Sequence, residues 1–147
     1  MDFLNSIKEM IPDYAKDIRL NIDGTIARSS LEGNDALGVA LSAAFAAKNR
    51  KFVAAIRESG LLSPEEVNAA LTASALMGMN NVWYPFVEMA GDADLKTLPA
   101  QLRMNAYASH GGVDKRRFEM YALAASIIGK CHFCIQSHSE LLKAEGM

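Results

Sequence analysis

The stretch 126-SIIGKCHFCIQSHSELL-142 holds both cysteines of the chain, Cys131 and Cys134, and two of its three histidines, His132 and His138. Read as a helix that begins after Gly129, it places Cys131 and Cys134 three residues apart on one face. His138 then follows Cys134 by four residues, one turn further along that face. The segment is read as one helical element. It also concentrates sulfur and imidazole where the rest of the chain has almost none.

Outward from this stretch, the chain keeps a helical pattern. No run of alternating β-branched residues marks a strand, so the fold class is all-α, in a single domain over residues 1–147. In 115-KRRFEMYALAASII-128, the residues Phe118, Tyr121, Ala122, Ala125 and Ile128 form an apolar stripe. Asp114 caps that helix and Gly129 ends it. The sequence 63-SPEE-66 is a helix start: Ser63 as N-cap, Pro64 in the first turn, Glu66 closing a capping box. The helix runs to Val87 or beyond, with a break expected near Pro85.

Other elements follow the same rules. A first helix spans Asp2 to Met10. A second covers 12-PDYAKDIRLNIDGTIAR-28, with Tyr14, Ile18, Ile22 and Ile26 recurring every fourth residue. Asn34 or Asp35 caps a third through Lys48. "RKFVAAIRES" is a short helix stopped by Gly60. "GDADLKTLPAQ" is a loop, a short helix follows Pro99 through "QLRMNAYA", and "SHGGV" is a turn. The cysteine helix reaches Ala144.

Composition excludes several functions. Half of the 147 residues are hydrophobic, enough for a core that needs no disulfide. The net charge of -2 offers no basic surface for nucleic acid or an anionic membrane. "MDFLNSIKEM" lacks the apolar core of a signal peptide, and the longest small-apolar run, Ala36 to Ala47, is about half a bilayer span. A soluble cytoplasmic protein is expected. In a reducing compartment a close cysteine pair points to redox chemistry or metal binding.

The two sulfurs invite two assignments. A helix N-terminus favours a thiolate at Cys131, in the first turn. His138 can take the proton of Cys134. The residues alone do not choose between them. A zinc site built on Cys131, Cys134 and His138 would still need a fourth ligand, and His110 is the only other Cys or His outside the segment. Two inert buried cysteines are the bland alternative. Glu119 lies twelve residues before Cys131. It reads either as a solvated helix face or, if the helix folds back, as a carboxyl of raised pKa within reach of His138 or Cys134.

The string "FEMYALAASIIGKCHFCIQSH" resembles the active-site segment of the alkyl hydroperoxide reductase D (AhpD) family, within the carboxymuconolactone decarboxylase-like superfamily. "IPDYAKDIRLN", "ALMGMNNVWY" and "LRMNAYA" are similar as well, in the expected order. The resemblance implies an AhpD-like helical fold, a homotrimer, and antioxidant peroxidase activity toward organic hydroperoxides. It implies a redox disulfide between Cys131 and Cys134, with Cys134 as the attacking or partner-linking thiol. It further implies that Cys131 is the other half of the disulfide and a proton donor, with Glu119 and His138 as the proton relay.

No cofactor is expected to be bound, since no flavin or nicotinamide fingerprint is present. The implied donor is the dihydrolipoyl group of lipoamide on an acyltransferase subunit, recharged by lipoamide dehydrogenase. The implied acceptor partner is a peroxiredoxin of the alkyl hydroperoxide reductase C type. Where the family can carry histidine before the second cysteine, this chain has Phe133, with His132 one place earlier. His132 is therefore an added candidate, turned about 100° around the helix. Where the family usually continues with further C-terminal helices, this sequence stops at "AEGM", which reads as a short form or a truncated chain. Two other functions fit the residues: a zinc-binding helical interaction module, and a carboxymuconolactone decarboxylase-like enzyme, for which the paired thiols have no role.

Overall fold

In the computed structural model, residues 2–110 and 112–147 are described. They form α1 (Phe3–Glu9), α2 (Lys16–Ile22), α3 (Gly33–Ala46), α4 (Arg50–Glu58), α5 (Pro64–Ala90), α6 (Asn105–Ser109), α7 (Lys115–Ile128) and α8 (His132–Ala144). Short 3-10 turns occupy Asp13–Ala15 and Leu95–Thr97, and a π turn occupies Asp23–Ala27. No strand occurs among the described residues. The all-α reading holds.

Helices α3, α5 and α7 pack on one another and enclose the core, and α8 lies across α5 and α7. The close fit depends on small residues. Tyr121 of α7 is fully buried against Gly38 of α3, where any Cβ would lie 2.4 Å from the ring. Ser42 Oγ donates to the Tyr121 carbonyl at 2.8 Å in the same buried seam. Alanines at 69, 70, 73, 122 and 125 let the helix backbones approach closely.

The start of α5 follows the capping-box reading. Ser63 Oγ accepts from Glu66 N at 3.2 Å, and Glu66 Oε2 accepts from Ser63 N at 2.8 Å. Gly91, at φ +65, ends the helix. The expected break at Pro85 does not occur. Pro85 forfeits one backbone bond in a helix of 27 residues. That loss alone does not stop it.

Three other expectations are corrected. Neither Asn34 nor Asp35 caps α3, whose N-cap is Glu32 with no side-chain bond. Asn34 Nδ2 instead donates to Glu66 Oε1 at 3.1 Å. Asp35, 5 % exposed, pairs with Arg117 at 2.5 Å and Arg116 at 3.0 Å. These side chains fasten α3 to α5 and α7, so they are not free to cap. The single second helix is three segments: Pro12 precedes the 3-10 turn, Tyr14 and Ile18 are exposed, and Ile26 is buried. The helix after Pro99 is confined to Asn105–Ser109, because Gln101 adopts φ +52 and breaks the coil upstream. The turn expected over residues 109–113 includes Gly111, which lies outside the described residues.

Candidate active site

The cysteines sit where α7 turns into α8. Gly129 is the C-cap of α7, and Lys130 reverses the chain at φ +53. Asn81 of α5 secures this corner by donating from Nδ2 to the Ala125 carbonyl at 3.1 Å. Its amide occupies the space a Cβ at Gly129 would need, 2.1 Å away. Glycine at 129 is therefore a packing requirement.

Cys131 is the N-cap of α8, one position earlier than its expected place in the first turn. The left-handed residue Lys130 delays the helix start. The Cys131 Sγ accepts from Cys134 N at 3.3 Å, a role usually filled by a serine or aspartate oxygen. Cys131 and Cys134 form a disulfide, with S–S 2.09 Å and Cα atoms 5.2 Å apart. Both are buried. The carbonyl oxygen of Asn80 lies 3.9 Å from Cys131 Sγ, an acceptor at hand for a reduced thiol.

One turn along α8, His138 Nδ1 meets Glu119 Oε2 at 2.5 Å. Glu119 projects from α7 and is 0 % exposed. A full solvated-face reading is thus excluded. Its other oxygen, Oε1, accepts from the Tyr107 hydroxyl at 2.6 Å. His138 Nε2 faces Met77 Sδ at 3.1 Å. The imidazole therefore has a partner within reach of each nitrogen.

Burial pushes the Glu119 carboxyl up, but the hydrogen bonds from His138 and Tyr107, with the charge of His138, outweigh it. The carboxyl is held below its ordinary value, not raised as the sequence suggested. The physical reason is that two donors converge on the charged form. The same contact works the other way on Tyr107. Burial, then the bond to the anionic Glu119, pushes its hydroxyl up to about 12.

His132 is elsewhere. It lies on the surface with Nδ1 2.9 Å from Glu88 Oε1. Phe133 beside it stacks on Tyr84, centroids 4.2 Å apart. The structure thus brings Glu119 and His138 into contact one turn of α8 beyond Cys134, and leaves His132 outside. The residues a zinc site would draw on are otherwise engaged: the sulfurs with each other, His138 with Glu119 and Met77. Tyr107, Met77 and Asn80 were missed as site residues. All three fall within "LRMNAYA" and "ALMGMNNVWY", where helical periodicity alone marks them as ordinary core or surface positions.

A buried CxxC disulfide at a helix start, with a histidine–carboxylate pair one turn further along the helix, is an arrangement compatible with thiol–disulfide chemistry. Residues 93–147 match the model of the "Carboxymuconolactone decarboxylase family". Over 143 residues the chain is 43% identical to "Alkyl hydroperoxide reductase AhpD" of Rhodopseudomonas palustris (strain BisA53), spanning 96% of this chain and 78% of that protein. It is 41% identical to the protein of that name from Rhodospirillum centenum, over 98% of this chain and 78% of the relative. With the Coxiella burnetii (strain Dugway 5J108-111) protein of the same name it shares 38%, over 97% and 83%. The chain belongs to the AhpD family.

Proposed function

We propose that this protein is a CxxC-dependent alkyl hydroperoxide reductase, an antioxidant peroxidase. The observation that carries the reading is the Cys131–Cys134 disulfide at the start of α8, one turn before His138 and its partner Glu119. Relatives named for that activity support it.

In the dithiol state, the His138–Glu119 pair accepts the Cys134 proton. The Cys134 thiolate attacks the terminal oxygen of a hydroperoxide, and the O–O bond breaks. The alkoxide leaves as an alcohol, taking a proton from the relay, and Cys134 becomes a sulfenic acid. Cys131, one turn away, attacks that sulfur and releases water as the disulfide closes. Glu119 stays ionised throughout because two donors hold it so, and its work is to orient His138 and balance its charge. Tyr107 fixes the carboxylate from the other side.

A dithiol must then reopen the disulfide. The dihydrolipoyl group of a lipoamide-bearing acyltransferase, itself recharged by lipoamide dehydrogenase, is the proposed donor. The same exchange run toward a partner peroxiredoxin would reduce that protein. Cytoplasmic residence suits such a cycle, and no described helix is long and apolar enough to cross a membrane. A homotrimer is also proposed. The exposed Val82, Phe86 and Met89 on one side of α5 provide apolar surface for it. His132 is left as a surface contributor at most.

The test is peroxide-dependent NADH oxidation with lipoamide, lipoamide dehydrogenase and peroxiredoxin added or omitted in turn. Turnover that needs both cysteines and the lipoyl arm is expected. NADH oxidation unchanged in a Cys131→Ser, Cys134→Ser double variant would end the reading.

A further inference from the structure

On another side of α5, a cavity of about 640 Å³ opens between the end of α3, α4 and the middle of α5. Its apolar lining comes from Phe45, Val53 and Ala75, with no bulk at Gly78. Lys48, Arg50 and Arg57 also line it. None of the three forms an ion pair among the described residues. Ser74 borders the same space with its hydroxyl oxygen itself buried. It is 3 % exposed, and its hydroxyl has no hydrogen-bond partner among the described residues.

These features point to one chemistry. Three unpaired cations beside an apolar wall favour an anion carried on a hydrocarbon body. The space is an open groove, with Phe45, Lys48, Arg50, Arg57 and Ala75 exposed along it. We infer that this cavity binds an aliphatic carboxylate, its chain against Phe45, Val53 and Ala75 and its head held by Arg50, Arg57 and Lys48. Helix α5 is a shared wall: Ser74 and Gly78 border this cavity, while Met77 touches His138. The inference goes beyond the peroxidase reading, and its test involves no turnover.

Calorimetric titration of the full chain with decanoate, below its micellar range, tests it. Saturable binding at one site per chain is expected. Arg57→Glu should weaken it at least about tenfold, because a charged hydrogen-bond partner is replaced by a like charge. Decylamine, equal in length and opposite in charge, should bind at least about tenfold more weakly than decanoate. Gly78→Leu supplies a folding-neutral obstruction: a Cβ at Gly78 meets nothing within 4 Å, so the added side chain can enter the groove without a clash. Decanoate binding should vanish in it while the helical circular-dichroism signal is kept.

Equal affinity for decylamine, or binding unchanged by Gly78→Leu, would overturn the inference. So would absent binding in a protein whose light-scattering mass drops to the monomer on Gly78→Leu, since a second copy of the chain would then own the cavity.

Discussion

His138 Nε2 faces the Met77 sulfur at 3.1 Å while Nδ1 holds Glu119 at 2.5 Å, so in the disulfide state both ring nitrogens are taken. For the ring to serve Cys134 after reduction, Nε2 must leave Met77. Met77→Leu conserves volume and removes the sulfur acceptor. Alkylation of the reduced protein should speed up by a few-fold, on the order of the 0.3–1.5 kcal/mol such sulfur contacts are worth. Identical alkylation rates would show that Met77 exerts no hold.

Glu119→Gln removes the charge that stabilises an imidazolium at His138. The reactive thiol should then titrate higher, by roughly one unit or more, with slower alkylation near neutral pH and an unchanged helical signal. Tyr107→Phe removes one of two donors to Glu119 and should move the thiol less. Alkylation-versus-pH curves that superimpose on the wild type would remove Glu119 from the relay.

The depressed Glu119 carboxyl also sets an acid-side stability. A group whose folded pKa lies below its unfolded value stabilises the fold fully above the unfolded value, about 4.3. That contribution disappears as pH falls through the folded value. Urea midpoints of wild type and Glu119→Gln should therefore differ most near pH 7 and converge below about pH 4. Glu66, held low by the Ser63 amide, Arg117 and Asn34 against burial that pushes it up, adds a slope of the same sign. A gap that widens on acidification would contradict this.

The two single cysteine variants should behave differently. Cys134→Ser should abolish peroxide turnover. Cys131→Ser keeps an N-cap oxygen for the Cys134 amide, so α8 should stay folded. After one equivalent of peroxide it should retain a sulfenic acid or a mixed disulfide at Cys134. Mass spectrometry showing oxidation in Cys134→Ser and none in Cys131→Ser would reverse the two roles.

Gly129→Ala forces a methyl into the Asn81 amide. A loss of about 1–3 kcal/mol in stability is expected from the overpacking. Thermal unfolding checks it, and Asn81→Ala in the same chain should restore part of the loss. No recovery in the double variant would place the cost elsewhere.

Much of this was open to reading in the chain. Ser63, Pro64 and Glu66 announce α5 because capping chemistry is local. Asp114 and Gly129 bracket α7 for the same reason. Cys131, Cys134 and His138 declare themselves by type and spacing. Tyr107, Met77 and Asn80 do not, because their partners lie at least twelve residues away in the chain and depend on how α5, α6 and α7 pack. The sign of the Glu119 shift was misread on the same ground: burial is inferable from an apolar stripe, whereas two converging donors are not. Asp35 misled because an acid near a helix start usually caps, and only its distant partners Arg116 and Arg117 decide otherwise.

The Cys131 sulfur serves as the first fastening of α8. Any reagent that caps this sulfur also crowds the amide it receives. Thiol blocking therefore reports on two events at once, a lost nucleophile and a loosened helix start. The oxygen of a serine at 131 separates them, leaving the chemistry disarmed and the helix still tied.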